Sequence, residues 1–341
     1  MINIADEHKF RKYLKEKNLI SDLSTVSIRR LGGGVSCETI IVESATRSFV
    51  IKQALPKLKV QEDWFSDVTR IKTEKNCLDF YNQIVPESTP RLLFFDEQNY
   101  LYGMEAAPEG SIMWKDYLLT GIIDFGIARQ IALTLARVHN ASVTDHQIRI
   151  TFESQTFFQE LRLDPYLKTV AERHPTLANL IEQEIQRLLA NKLVLVHGDY
   201  SPKNILVHGS KIYVLDFEVA HLGDPSFDLA FLTNHFLLKA IKNKHWAASY
   251  LNLAIYTIDT YLAEIKFKSR ESLEPNTLKT LALLFLARVD GKSPAEYITE
   301  DKDKELIRTI SYGILQHNIQ TVRELAKYCL NEIDTITAGK K

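Results

Sequence analysis

The stretch LVHGDYSPKNILV, residues 195–207, holds the side chains with the most evident chemical use in this sequence. Asp199 follows the apolar run Leu193 to Val196, where a strand would leave the core and meet a cleft. A carboxylate there can accept a proton from an attacking hydroxyl. Asn204 comes five residues later, and Pro202 keeps the chain between them from forming a regular helix. The loop can therefore turn both side chains into one cavity, where an amide oxygen is a hard ligand suited to Mg²⁺. Next come ILV, a turn HGSK and IYVLDF, the pattern of a tight hairpin. Such a hairpin would return Asp216 to the end of the lobe that holds Asp199 and Asn204. One base and two metal ligands suit phosphoryl transfer, which relies on positioning and on charge neutralisation by Mg²⁺. Either residue alone after a strand is ordinarily a turn residue. The joint pattern of H-x-D, the asparagine, the hairpin and D-F carries the inference.

Those groups need a lobe that holds a nucleotide. Three strand-like runs, 25–31, 38–44 and 47–53, follow an amphipathic N-terminal helix and predict a three-stranded meander. LGGGVS joins the first two runs, and its glycine backbone can approach phosphate oxygens and offer N–H donors. Gly32, Gly33, Gly34 and Ser36 are the candidates there. Lys52 stands alone in the apolar strand FVIKQ. The period then becomes helical from Gln61 to Ile84, with Trp64, Val68, Ile71, Leu78 and Tyr81 on one stripe. Glu74 lies on that stripe, and a charge there wants a buried partner, for which Lys52 is the natural choice and Glu62 a competitor for Glu74's role. Two more strand runs end at APEGS, a break expected to be the hinge. Residues 1–105 thus form an expected strand-rich lobe, and 106–341 a larger, mainly helical one.

The chain has 341 residues, enough for two packed lobes. Lys plus Arg number 42 against 43 for Asp plus Glu, with no clustered basic patch, which argues against a nucleic-acid partner. Three scattered cysteines suggest neither zinc nor a disulfide framework. The N-terminus lacks the apolar core of a signal peptide, and the longest apolar run, Leu281 to Ala287, is far short of the ~20 residues of a membrane span. A cytoplasmic protein without a membrane partner is expected.

These residues resemble the aminoglycoside phosphotransferase and choline kinase family, within the protein-kinase-like superfamily. VHGDYSPKNILV is similar to its catalytic loop, LDFEVAHLGDPSFDLA to its metal segment and GGGVS to its nucleotide loop. The resemblance implies an α+β, protein-kinase-like two-lobed fold and an ATP- and Mg²⁺-dependent transfer to a small-molecule hydroxyl. It implies Asp199 as base, and Asn204 and Asp216 as metal ligands with Glu218 as an added one. It also implies Lys52 at the α/β-phosphates, paired with Glu74, and the adenine near Met104 to Ala107, at Glu105 and Ala107. His197 and Asp228 would be architectural, His197 bracing the loop and Asp228 capping a helix or fixing the loop backbone. The first lobe also resembles that of methylthioribose kinases, in FVIKQALPKLKV, RIKTEKNCLDFY and LYGMEA, but the chain departs from them at YSPKN and DFEVAHLGDP.

A second tripeptide, Asp124-Phe125-Gly126, spells the protein-kinase motif letter for letter. It opens a run in which Ile127, Ile131, Leu135 and Val138 form a helical stripe, so Asp124 stands where an N-cap belongs. His139 nearby is expected to be a helix-end histidine. Only EVAHLG separates DF from DPSFDLA, which leaves little room to hold a peptide. The last fifty residues carry eight acidic and eight basic side chains, no support for a polycation pocket. Trp246, Tyr250 and Tyr256 offer a choline cage or, at helical spacing, a core. A sugar derivative, an amino alcohol or an aminoglycoside-like molecule remains open as acceptor. The alternatives are a catalytically silent, nucleotide-binding kinase fold and a protein kinase.

Overall fold

The computed structural model describes residues 2–20, 26–32, 34, 36–45, 47–59 and 64–339. Gly33, Glu62, Thr25 and the expected helix start at Gln61 lie outside the described residues. The chain divides into two compact units, Met1–Glu109 with Leu215–Glu218, and Gly110–Val214 with Val219–Lys341.

The first unit begins with helix α1 (Glu7–Glu16), capped by Asp6, whose carboxylate accepts the Lys9 amide. Strands β1 (Ser27–Arg30), β2 (Cys37–Glu43), β3 (Ser48–Ala54), β4 (Leu92–Asp96) and β5 (Leu101–Glu105) form one antiparallel sheet in the order β1-β2-β3-β5-β4. Strand alternation gives the sheet two different faces. Ile40, Val42, Phe49, Ile51 and Leu101 join Phe10, Tyr13 and Leu14 of α1 in one apolar core. The intervening residues, Lys52 and Tyr102 among them, must therefore face the other way, where helix α2 (Arg70–Ile84) packs on β3, β4 and β5.

Helix α2 starts later than the apolar spacing predicts. Trp64 and Val68 precede it, because that backbone has other partners. The Trp64 carbonyl accepts from Leu58, Phe65 bridges Lys57, and the Asp67 carboxylate accepts the Thr69 amide at 2.8 Å in a local turn. Side-chain turns of this kind compete with helix and mark its start.

The second unit is mainly helical. Strand β6 (Ile112–Met113) leads into α3 (Trp114–Leu119) and α4 (Phe125–Ser142). The short helices α5 (His146–Thr151), α6 (Thr156–Phe158) and α7 (Thr169–Arg173) flank a π-helical stretch, Gln159–Lys168, and α8 (Ala178–Ala190) follows. Strand β7 (Val194–Val196), the hairpin β8 (Ile205–His208) and β9 (Lys211–Val214), and β10 (His221–Gly223) make two small sheets, β7 with β10 and β6-β8-β9. Helices α9 (Ser226–Lys242), α10 (Ala247–Glu264), α11 (Arg270–Asp290), α12 (Asp301–Gln316) and α13 (Val322–Thr337) complete it. Helix α9 packs on α10 and α11 and is buried almost all round, as a helix at the centre of a core must be. The run Leu281 to Ala287 is buried within α11. Among the described residues no helix is long and apolar enough to cross a membrane.

Asp124 is the N-cap of α4, its carboxylate accepting the amides of Gly126 at 2.7 Å and Ile127 at 3.2 Å. Replacing it, Asp124→Ala, is expected to lower the unfolding free energy by about 1 kcal/mol in a denaturant titration. The transfer expected from the sequence should persist in the folded variant, and its loss would make Asp124 a site residue after all.

Candidate active site

Each unit carries one set of the residues singled out in the sequence. In the first, the Lys52 ammonium is buried on the α2 face of β3. It ion-pairs with Glu74, and lies 2.6 Å from Asp216 Oδ1. Tyr102 donates its hydroxyl to Glu74 at 3.0 Å, so strand β5 steadies the carboxylate that helix α2 supplies. Burial opposes charge on Lys52, but Asp216 and Glu74 outweigh it and hold its pKa well above the ordinary lysine value. Burial pushes Glu74 upward despite Lys52, with Asp216 and Glu218 adding to the rise. One Glu74 oxygen, Oε2, is buried without a hydrogen-bond partner among the described residues.

Asp216 is a non-glycine residue in the left-handed region, φ 73°. Such backbone costs on the order of 1 kcal/mol or more and persists only where neighbours enforce it. Phe217 is buried against Tyr81 of α2, ring centroids 4.6 Å apart, and Glu218 takes the Nε–H of Arg70 at 2.9 Å. These two anchors directly follow Asp216 and hold it in place.

Arg70 is the functional residue that sequence reasoning missed. Its guanidinium is fully buried at the start of α2 and donates to the carbonyls of Ser36, Leu55, Ser66 and Asp67 as well as to Glu218. It thereby fixes the C-terminal end of the glycine loop through Ser36. Its local sequence carries no pattern that calls for a buried cation. Cys37, Glu74 and Glu218 place potential ligand atoms within 4.8 Å of one another. They make a poor metal centre, since burial raises the Cys37 thiol far above its ordinary pKa and both carboxylates already hold cations. Glu218, expected as a ligand, is held by Arg70.

The remaining nucleotide candidates are more open. A Cβ built on Gly32 or Gly34 meets no atom within 4 Å among the described residues. Glu105 is engaged elsewhere, its amide donating to the Arg91 carbonyl and its exposed carboxylate pairing with the Arg91 guanidinium at 2.6 Å. Ala107 lies just beyond the end of β5.

In the second unit, Asp199 leaves β7 on a rigid loop. The Asp228 carboxylate accepts the amides of His197 at 2.7 Å and Gly198 at 2.9 Å, and His197 Nδ1 accepts the Asp199 amide at 3.2 Å. Asp228 therefore fixes the loop backbone rather than capping the start of α9. Burial works against its charge, but His139 and His197 hold its pKa below the ordinary value. His139 is more than a helix-end residue: it is fully buried, 2.6 Å from the Tyr261 hydroxyl and 3.4 Å from Asp228. Gly198 has φ 77°, and a Cβ there would stand 2.8 Å from the Val219 carbonyl oxygen, so the H-G-D spelling is a backbone requirement. Tyr200 pins the loop to α4 through Ile131.

The Asp199 carboxylate itself is unevenly held. Oδ2 takes Arg162 Nη2 at 2.8 Å and Lys203 Nζ at 3.0 Å. Oδ1 is buried with no hydrogen-bond partner among the described residues. Arg162, from the π-helical stretch, also donates to the Gly198 carbonyl at 2.8 Å, and nothing in its local sequence announced that role. Asn204 Nδ2 donates to the Asp199 carbonyl at 2.9 Å, which fixes the amide so that Oδ1 points the other way. An amide oxygen of this kind is a hard ligand, the type that suits a magnesium ion. The three aromatic residues have separate partners rather than one cage: Tyr250 is a core residue bonded to the Leu118 carbonyl, Trp246 packs on Gly121, and Tyr256 packs edge-on to Phe125.

Residues 27–256 match the phosphotransferase enzyme family, APH. The methylthioribose kinase of Bacillus cereus (strain B4264) is 25% identical over 279 residues, covering 74% of this chain and 71% of that protein. Among solved structures, the amicoumacin kinase hAmiN in complex with AMP-PNP, Ca²⁺ and Ami aligns with a TM-score of 0.55 at 14% identity, covering 92% of this chain and 97% of that one. A choline/ethanolamine kinase family protein from Mesorhizobium loti gives 0.53 at 13% identity, covering 97% and 94%. With two-thirds of its length inside the family match, and with a small antiparallel sheet unit and a larger helical one, the chain belongs to the phosphotransferase enzyme family and has its α+β, protein-kinase-like fold.

Proposed function

We propose that this small-molecule kinase moves the γ-phosphate of ATP, with Mg²⁺, to a hydroxyl of a small acceptor, with Asp199 as the base. The observation that carries the reading is the state of the Asp199 carboxylate, one oxygen clamped by Arg162 and Lys203 and the other buried and bare. A carboxylate so oriented can accept a hydroxyl proton without first breaking a hydrogen bond. Arg162 and Lys203 hold one of its oxygens in place while the loop backbone, tied to Asp228, keeps it still.

Asn204 and Asp216 would hold Mg²⁺, whose charge neutralises the phosphate oxygens. Lys52 would bind the α/β-phosphates, Glu74 positioning its ammonium, with the amides of Gly32 to Ser36 offering further donors and Ala107 the adenine edge. Glu218 would act as a brace for Asp216 through Arg70 rather than as a ligand. The methylthioribose, choline/ethanolamine and amicoumacin kinases among its likenesses support a small acceptor. Retention of Asp199, Asn204, Asp216 and Lys52 speaks against a silent nucleotide-binding module.

The test is ATP consumption against a panel of sugars, amino alcohols and aminoglycosides. Asp199→Asn is expected to lower kcat by about 10²–10⁴-fold with little change in KM for ATP. Chelation of Mg²⁺ should abolish transfer and its return restore it. An unchanged rate in Asp199→Asn would sink the assignment of the base.

Arg70→Met leaves Glu218 buried without its counter-charge, a change that costs about 3–5 kcal/mol where a buried pair is broken. Calorimetric unfolding should show that loss, and the double variant Arg70→Met with Glu218→Gln should recover part of it. No recovery would mean that the pair is not the main role of Arg70.

A further inference from the structure

Helix α9 presents Phe231, His235 and Lys239 four residues apart, on one stripe of its surface. The stripe begins beside the catalytic loop, since the Arg162 guanidinium that holds Asp199 lies 5.7 Å from the Phe231 ring centroid. The His235 ring follows at 5.6 Å from Phe231. Tyr166 lies 6.0 Å from Phe231 on the other side and takes Arg288 Nη1 on its hydroxyl at 3.1 Å. Lys239 is fully buried, its ammonium 5.2 Å from the Tyr297 ring centroid and bonded to the His235 carbonyl of its own helix at 3.3 Å.

This cluster gathers basic side chains and is incompletely satisfied. His235 Nε2, Arg288 Nε and the Tyr297 hydroxyl are buried without a hydrogen-bond partner among the described residues. The charged groups felt at Lys239 are Lys115, Arg288, Glu296 and Asp116, and Glu296 is already paired with Lys115. Those felt at His235 are Lys239, Arg288, Lys203 and Lys115, all cations. Burial, with the cations Lys115 and Arg288, pulls Lys239 down to about 7. Arg288, Arg162 and Lys203 hold the buried Tyr166 hydroxyl below its ordinary value against burial. Buried polar groups are almost always satisfied, and buried cations are paired with anions. The missing partner here is an anion.

We infer that the acceptor of this kinase carries an acid group, a carboxylate or a phosphate ester, which Lys239, His235 and Arg288 bind while its hydroxyl meets Asp199. The inference rests on Asp199 being the base and adds the chemical class of the acceptor. The same surplus of positive charge disfavours a choline-like or polycationic substrate at this cluster.

The experiment uses the full chain with Mg·ATP and acceptors matched except for the acid: ribose 5-phosphate with ribose, and gluconate with glucitol. Choline and kanamycin serve as cationic members. At least one acid is expected to exceed its neutral partner in kcat/KM by about tenfold or more, and the two pairs separate phosphate from carboxylate. Lys239→Met and Arg288→Gln should each raise KM for that acid by a similar factor, with kcat much less affected. Preference for a neutral or cationic acceptor overturns the inference and leaves the kinase reading intact. So does a Lys239→Met chain that gains thermal stability with KM unchanged, the mark of a merely structural lysine. If no acceptor is phosphorylated, calorimetric titration of ribose 5-phosphate and gluconate in the presence of a non-hydrolysable ATP analogue decides the anion site alone. Binding weakened by Lys239→Met supports it, and absence of binding to both overturns it. Failure of the kinase reading shows separately, as ATP consumption that Asp199→Asn does not alter.

Discussion

A lysine ammonium without solvent is the constraint around which the first unit is arranged. Lys52 is placed on the α2 face of its strand by simple alternation with Phe49 and Ile51, and once buried there it must be paired. Glu74 and Asp216 supply the counter-charges from a helix and from a segment far along the chain. The sheet, helix α2 and the D-F-E segment are thus tied at one point. Their mutual fit explains why Asp216 tolerates a left-handed backbone: Phe217 and Glu218 are each held on α2, and the strained residue between β9 and those anchors has nowhere to relax.

The second unit solves the same kind of problem with the charge reversed. Asp228 is a fully buried carboxylate on α9, and its partners are two loop amides and a histidine. Hydrogen bonds from backbone amides stabilise a carboxylate without using a side chain that could move. The loop therefore inherits the rigidity of the core helix, and Asp199 is presented from a fixed frame. Gly198 follows from this, since the path that offers both amides to Asp228 leaves no room for a side chain beside Val219.

Much of this was legible in the sequence because it depends on spacing. The interval from Asp199 to Asn204, the hairpin and the cap at Asp124 are local, and the alternation around Lys52 and the stripe with Glu74 are periodic. What escaped was long-range. Arg70 and Arg162 each bond carbonyls and carboxylates far away in the chain, and neither stands in a local pattern that demands a buried cation. The helix start was misplaced for the opposite reason: Trp64 and Val68 have helical spacing, while the backbone between them is occupied by a bridge and a side-chain turn. His139 was read from its place at a helix end, although its partners, Tyr261 and Asp228, lie on two other helices.

The two D-F tripeptides show how far spelling can mislead. Asp124 has the protein-kinase letters and spends its carboxylate on the amides of its own helix. Asp216 lacks the glycine, and the residue in its place is structural: Glu218 needs a cation, and the guanidinium that also fixes Ser36 supplies it. A glycine in that position would leave Arg70 with carbonyls alone, a set of neutral acceptors for a full buried charge. The glutamate and the arginine are therefore best understood as one feature, which couples the end of the glycine loop to the segment that carries Asp216. The cost of building so many buried charges is met by pairing within the first unit. In the second unit the cations outnumber the anions beside Asp199, and that imbalance is the property that an acceptor must complement.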